Sequence, residues 1–260
     1  MAVTISNIPI LLFINSVCII IILFCRLKII VAKQYNSFKI KHSLILYKYS
    51  GRNMYVPEHF KENRPEEITR IIENFPLAML VVNSKNGFIA NHLPLLVNKS
   101  SKKEIELIGH IARANSLYND IDNNDDVLVI FRSEDAYISP NWYPSRKNRE
   151  HVPTWNYQAV HLHGKITFSK EKKFILKNVE QFTKVFEQKN HKQNDWNINS
   201  VGSKFMSTML NEIIGIKILV SKQIAKSKLS QNREKEDINN VYKELKNKGF
   251  EFLANSMKKL

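Results

Sequence analysis

The feature that most limits how this chain can fold is a series of short apolar runs separated by turn residues. Leu77 to Val82 (LAMLVV) and Val127 to Phe131 (VLVIF) are unbroken apolar stretches too short for ordinary helices. Runs of this kind are buried β-strands. Ser84-Lys85-Asn86-Gly87 follows the first run as a turn, with Gly87 free to take positive φ. Phe88 to Val97 then returns as a second strand and closes a hairpin. Ile105 to Ile111, Asn156 to Phe168 and Ile213 to Val220 read as further strands. Helical spacing marks Arg64 to Phe75, Lys170 to Lys189 and Asp237 to Lys248. The expected fold class is α+β, a small β-barrel decorated by helices.

Several chemistries are excluded. The seven glycines of this 260-residue chain lie at least 13 residues apart. Neither a dinucleotide-binding glycine loop nor a Walker loop can be built from them. The two cysteines, Cys18 and Cys25, both fall in one apolar run. This removes a disulfide scaffold, a cysteine zinc site and a cysteine nucleophile from the globular part.

Residues 1–53 stand apart. They carry seven basic and no acidic side chains, out of a net charge of +15 for the chain. Ile8 to Cys25 is uncharged, and a helix of 18 residues spans about 27 Å, close to a bilayer core. Two readings stand. The segment is either a membrane anchor with the remaining chain on the cytoplasmic side, or an over-extended start, with the working N-terminus near Met54. The second is the expectation. The expected organisation is therefore a hydrophobic and basic extension over 1–53, one domain over 54–250 and a tail over 251–260. The basic excess at both ends also admits nucleic acid or an anionic surface as a partner.

Four polar and aromatic clusters interrupt the apolar pattern. Gly109-His110-Ile111-Ala112-Arg113-Ala114-Asn115 follows a strand and enters a short helix, Asn115 to Asp120. Free backbone N–H groups there, with the Arg113 fork, suit a phosphate monoester; an arginine bonding loop carbonyls is the other reading. Asp135 to Pro144 holds three aromatics and two prolines. It forms either a pocket wall for a planar ring or a packed loop. Val152-Pro153-Thr154-Trp155-Asn156-Tyr157 leads into His161 and His163, which share a strand face but lack an evident third metal ligand. Lys228-Leu229-Ser230-Gln231-Asn232-Arg233 precedes a helix. It is either a latch onto an anion or simple capping by Ser230 and Asn232.

Taken in order, MYVPEHF (Met54 to Phe60), NHLPLL (Asn91 to Leu96), GHIARAN, AYISPNWY, VPTWNY and KLSQNR resemble the PaiB family of FMN-binding negative transcriptional regulators. The resemblance runs from Met54 to about Leu245. It implies a flavin-type split β-barrel and a cytoplasmic homodimer with FMN at the subunit interface. It also implies repression of sporulation and degradative-enzyme genes, by direct or indirect action on DNA. A flavin reductase or oxidase is the alternative, since related barrels host redox chemistry; whether the protein is an enzyme stays open. Carried over, the cofactor-binding residues are His92 along the ring edge, His110, Arg113 and Asn115 at the phosphate, and Trp155 by the ring. Ser230, Gln231 and Arg233 close the pocket. No catalytic residue and no metal ligand is implied.

Overall fold

The computed structural model describes residues 54–98, 104–190 and 198–259. They belong to one compact unit, Met54–Leu260. The apolar run Ile8 to Cys25 lies outside the described residues. Among the described residues no helix is long and apolar enough to cross a membrane.

A short turn of 3-10 helix (Glu58–Phe60) leads into α1 (Pro65–Asn74), whose first turn carries Glu66 and Glu67. There follow β1 (Leu77–Ser84), β2 (Gly87–Pro94), β3 (Leu96–Val97), β4 (Glu106–Ala112), α2 (Leu117–Asp120), β5 (Asp126–Ile138) and β6 (Thr154–Ser169). The chain ends with α3 (Lys172–Asn190), α4 (Ser203–Asn211), β7 (Ile213–Lys228), α5 (Lys235–Asn247) and α6 (Glu251–Met257). The seven strands form one antiparallel sheet in the order β2-β1-β5-β6-β7-β4-β3. It curls until Asn115, beyond β4, reaches Asn91 of β2, so the barrel is split and not fully laddered. The α+β split barrel expected from the sequence is the observed fold.

The barrel core takes alternate residues of each strand: Leu80 and Val82, Val129 and Phe131, Leu162 and Ile166, Ile214, Ile216 and Ile218. Ile68, Ile71 and Ile72 of α1 plug it. A second core joins Ile138 and Tyr143 to Val241, Leu245, Leu253 and Met257. Leu96 and Ile108 pack outward on Phe182 of α3, so β4 is buried on both faces and shows only weak alternation.

Several boundaries differ from the sequence reading. The expected strand 88–97 breaks at Leu95, whose N–H donates to Pro76 O; Leu96–Val97 leaves β1 and pairs with β4. β5 and β7 run on to Ile138 and Lys228, well past Phe131 and Val220. Residues 251–257 form a helix where a tail was expected, with Leu253 and Ala254 fully buried. The Asp135–Pro144 stretch is partly strand, and its Ile138 and Tyr143 are packed core.

A polar seam fixes α1 to β6 and β7. Gln158 Nε2 donates to Glu67 Oε1 (2.9 Å) and to Ser227 Oγ (2.8 Å), and Ser227 Oγ donates to Glu62 Oε2 (2.8 Å). Arg64 and Arg70 supply the countercharges. Burial works to raise both carboxyls. Donors from Arg64 and Ser227 on Glu62, and from Arg70 and Gln158 on Glu67, outweigh it and hold both below the ordinary range. Their stabilisation is therefore complete above the unfolded carboxyl range and is lost as pH falls through it towards the folded values. Burial lowers the pKa of His110, so protonation costs more in the folded state and stability is lost as pH falls through the ordinary imidazole range.

Urea unfolding as a function of pH is thus expected to lose stability in a histidine step and then a carboxyl step, with Glu67→Gln flattening the second. Leu253→Ala is expected to cost about 2–5 kcal/mol in the same assay, as for a fully buried leucine. A cost near zero would show that α6 does not belong to the core.

Candidate functional site

The first group of sequence-selected residues surrounds the end of β4. His110 does not face Arg113. It pairs with Gly215 in the ladder and sets its ring edge-on to Phe182, with centroids 5.7 Å apart. Its Nδ1 is buried without a hydrogen-bond partner, and desolvation lowers its pKa. Arg113 is exposed. Its N–H donates to Glu212 O (2.7 Å) and its Nε to Asn211 O. Asn115 Nδ2 donates to Asn91 Oδ1 (3.1 Å), and its Oδ1 accepts from Leu117 N (3.0 Å).

Of the amides expected to be free at this corner, those of Ala114 and Ser116 have no acceptor among the described residues, and the others are taken up. The N–H groups of Arg113, Asn115, Leu117, Tyr118, Asn119 and Asp120 all have acceptors within the chain. Arg113 bonds a loop carbonyl through Nε, and the residue as a whole is exposed. The donors left at this corner are that exposed guanidinium and the amides of Ala114 and Ser116.

His92 belongs to a different surface. The ladder places it opposite Met79, Met79 opposite Ile130, Ile130 opposite His161, and His161 opposite Ile224. Directly opposed residues share a face, so these five form one row across the outside of the barrel. A second row, Ala90, Val81, Leu128, His163 and Lys222, lies beside it. Met79, Val81, Leu128, Ile130 and Ile224 are half-buried and belong to none of the three buried clusters. Burial lowers the pKa of both His161 and His163, with His163 and Lys222 as the respective lesser charges. Among the described residues no three His, Cys, Asp or Glu side chains group as metal ligands.

The second group lies at the other end of β7. Trp155 is half exposed and meets Tyr137 edge-on, with centroids 5.9 Å apart. Ser230 is buried, takes φ 64°, and exchanges hydrogen bonds with the Asn156 amide (2.9 and 3.1 Å). It does not cap α5, whose N-cap is Glu234. Gln231 accepts from Leu229 N (2.7 Å) and donates to Ser227 O (2.6 Å), so it ties off the strand end. Arg233 stacks over Tyr143 (5.0 Å) and donates to His151 Nδ1 (3.3 Å). Ser230 and Gln231 thus shape the turn, and Trp155 and Arg233 are the members with a face to offer.

Sequence reading missed Lys226, and placed Lys228 in the loop after the strand instead of on it. Both point outward from β7, opposite Ala159 and Tyr157. Lys226 is only 7% exposed. Their signal was an every-second-residue lysine pattern in QIAKSK, hidden because the strand was ended too early. Also missed was a knot in which Ser145 Oγ donates to the buried Asp237 Oδ2 (2.7 Å) and lies 2.7 Å from His151 Nε2. It fastens the loop after β5 to α5.

The two groups do not meet within one chain. Arg113 is tied to Glu212, one residue before β7 begins, whereas Lys228 and Ser230 stand at its far end. At about 3.3 Å per residue, the strand path between them is about 50 Å.

Fold and surface together define a split-barrel protein with half-buried apolar residues on its outer wall and cations near both ends of β7, which suits a phosphate-bearing cofactor with an aromatic body. Residues 54–222 match the family described as "Putative FMN-binding domain". The chain is 36% identical over 195 residues to the protease synthase and sporulation protein PAI 2 of Bacillus subtilis, covering 75% of this chain and 90% of that protein. It is 32% identical over 130 residues to an uncharacterized protein of Saccharomyces cerevisiae, covering 43% and 76%. Among solved structures it is similar to the flavocytochrome Anf3 of Azotobacter vinelandii (TM-score 0.48, 11% identity, 71% and 78% covered). It is likewise similar to an FAD and heme binding protein of Mycobacterium smegmatis (TM-score 0.45, 11% identity, 69% and 78% covered). The chain belongs to this PaiB-type FMN-binding family, and FMN is its cofactor.

Proposed function

We propose that the protein is a cytoplasmic, homodimeric FMN-binding regulator of the PaiB type, repressing sporulation and degradative-enzyme genes. The observation that carries the dimeric site is the separation of the two residue groups along β7. In this reading His92, Arg113 and Asn115 come from one protomer. Trp155 and Arg233 come from its partner. His110, Ser230 and Gln231 support the site from behind.

The outer rows favour the same arrangement. Continuous apolar strands are normally covered on both faces, and along these rows the described residues cover only the inner face fully. A second copy laid on Met79, Val81, Leu128 and Ile130 buries that wall and leaves a flat slot for the isoalloxazine. Bound there, FMN supplies a ring that takes up and releases electrons. This chain's residues orient the ring, exclude water and neutralise its phosphate. The regulatory part is supported by likeness to a relative named for protease synthesis and sporulation.

Three measurements test this. The purified protein is expected to show flavin absorbance and to slow an operator fragment in a salt-sensitive manner; vigorous NAD(P)H oxidation without any operator shift would turn the assignment to an oxidoreductase. Arg113→Ala should weaken FMN by about 10–100-fold, the range of a charged hydrogen bond, and riboflavin very little. Equal losses would remove Arg113 from the phosphate. Ile130→Glu should give a monomer by light scattering and lose FMN, whereas a monomeric wild type would sink the two-chain site.

A further inference from the structure

Four charged residues are buried in the described chain: Glu62, Glu67, Asp237 and Lys226. The three acids each face a guanidinium, from Arg64, Arg70 and Arg149 respectively. Lys226 has no carboxylate partner among the described residues. Its Nζ donates to Tyr55 O (3.2 Å) and lies 5.7 Å from the ring of Tyr55 and 5.3 Å from that of Tyr157. A buried ammonium held only by a carbonyl and ring faces is poorly compensated.

Lys228, two residues on and on the same face, adds to the imbalance. Its Nζ donates to Trp155 O (2.8 Å) and to Thr154 Oγ1, and it too lacks an acid among the described residues. Burial first, and then the charges of Lys226 and Arg233, hold its pKa below the usual lysine range. Among the described residues Arg233 meets His151 and the Tyr143 ring and no carboxylate within ion-pair distance. The carboxylate in the same cross-strand row, Asp135, stands two strands away and is taken by Arg132. Three cations therefore repel one another in a half-buried place walled by aromatic rings.

We propose that Lys226, Lys228 and Arg233 form a second anion-binding site at the far end of β7, built for a phosphate monoester. Charge decides the class of ligand. A phosphate monoester carries about −1.5 to −2 and several acceptor oxygens, which offsets most of three positive charges, whereas a carboxylate offsets one. Lysine ammoniums bind phosphate as point charges, and Arg233 adds a directed fork. The exposed face of Trp155 stands beside the pair and gives an aromatic body a surface to lie on. The site rests on the flavin reading only for its source: the phosphate belongs either to FMN held across two protomers or to a separate phosphorylated small molecule.

The test is calorimetric titration of the full-length wild type, Lys226→Met and Lys228→Gln with inorganic phosphate at constant ionic strength, followed by FMN and riboflavin. Wild type should bind phosphate, and each variant should bind it about tenfold more weakly, the lower end for a charged hydrogen bond. Lys228→Gln, at a half-exposed position, keeps the test alive if Lys226→Met does not fold. If Lys228→Gln also loses FMN tenfold while sparing riboflavin, the phosphate is the flavin's. If both flavins bind as in wild type, a separate phosphorylated ligand owns the site. Either result supports the proposal. No phosphate binding by wild type, or equal binding by all three proteins, overturns it. A wild type that binds phosphate but no flavin would strike the proposed function and leave this site standing.

Discussion

The antiparallel pairing of β6 with β7 is the constraint from which the rest of the structure follows. The ladder runs from Tyr157↔Lys228 to Ser169↔Gly215, interrupted once between His163 and Gly164. There Ser221 is left over on β7, as a bulge requires. Before it, Ile214, Ile216 and Ile218 point into the barrel. After it the parity reverses, so that Ala225 and Ser227 point in and Ile224, Lys226 and Lys228 point out. A residue other than glycine at 164 would drive its Cβ into the Leu219 carbonyl, so the bulge and the close approach are one feature. Without this phase change the two lysines would face the polar seam, and the outer wall would lose its lower end.

The same phase change accounts for what the sequence conceals. Period-two patterning reveals a strand only while its parity is kept. In β5 the register shifts between Arg132 and Asp135, and the inward set passes from Val127, Val129 and Phe131 to Ala136 and Ile138. Both strands read as ended at the residue where the pattern changes phase, and in both the chain continues. α6 is hidden for another reason: it is two turns long, and its apolar content is spread over Phe252, Leu253, Ala254 and Met257 among polar residues. Only its contacts with Leu245 and Tyr143 in the second core declare it. The hairpin, the long strand through His161 and helices α1, α3 and α5 keep one period throughout and were legible.

The candidate site was legible as chemistry and not as geometry. The motifs single out polar and aromatic residues, of which Arg113 and Trp155 are exposed. Spacing along the chain does not distinguish these from residues such as His110, Ser230 and Gln231, whose polar groups turn inward. His110 is spent on Phe182, and Gln231 on the backbone at Ser227 and Leu229. A motif residue that holds a turn and one that touches a ligand look alike until the partner of each polar atom is known.

Ser227 shows how one strand keeps two electrostatic systems apart. Its hydroxyl points inward and donates to Glu62, in a seam where each acid already has its own arginine. The lysines on either side of it point outward. The inner acids cannot serve as their counterions, because those carboxylates are saturated by Arg64, Arg70, Gln158 and Ser227 itself. Charge balance inside the fold thus leaves the outer cations without a carboxylate among the described residues. The half-buried apolar rows through Met79 and Ile130 are likewise left without a cover by the described residues, so one strand pairing sets both the apolar outer surface and the cations at its end.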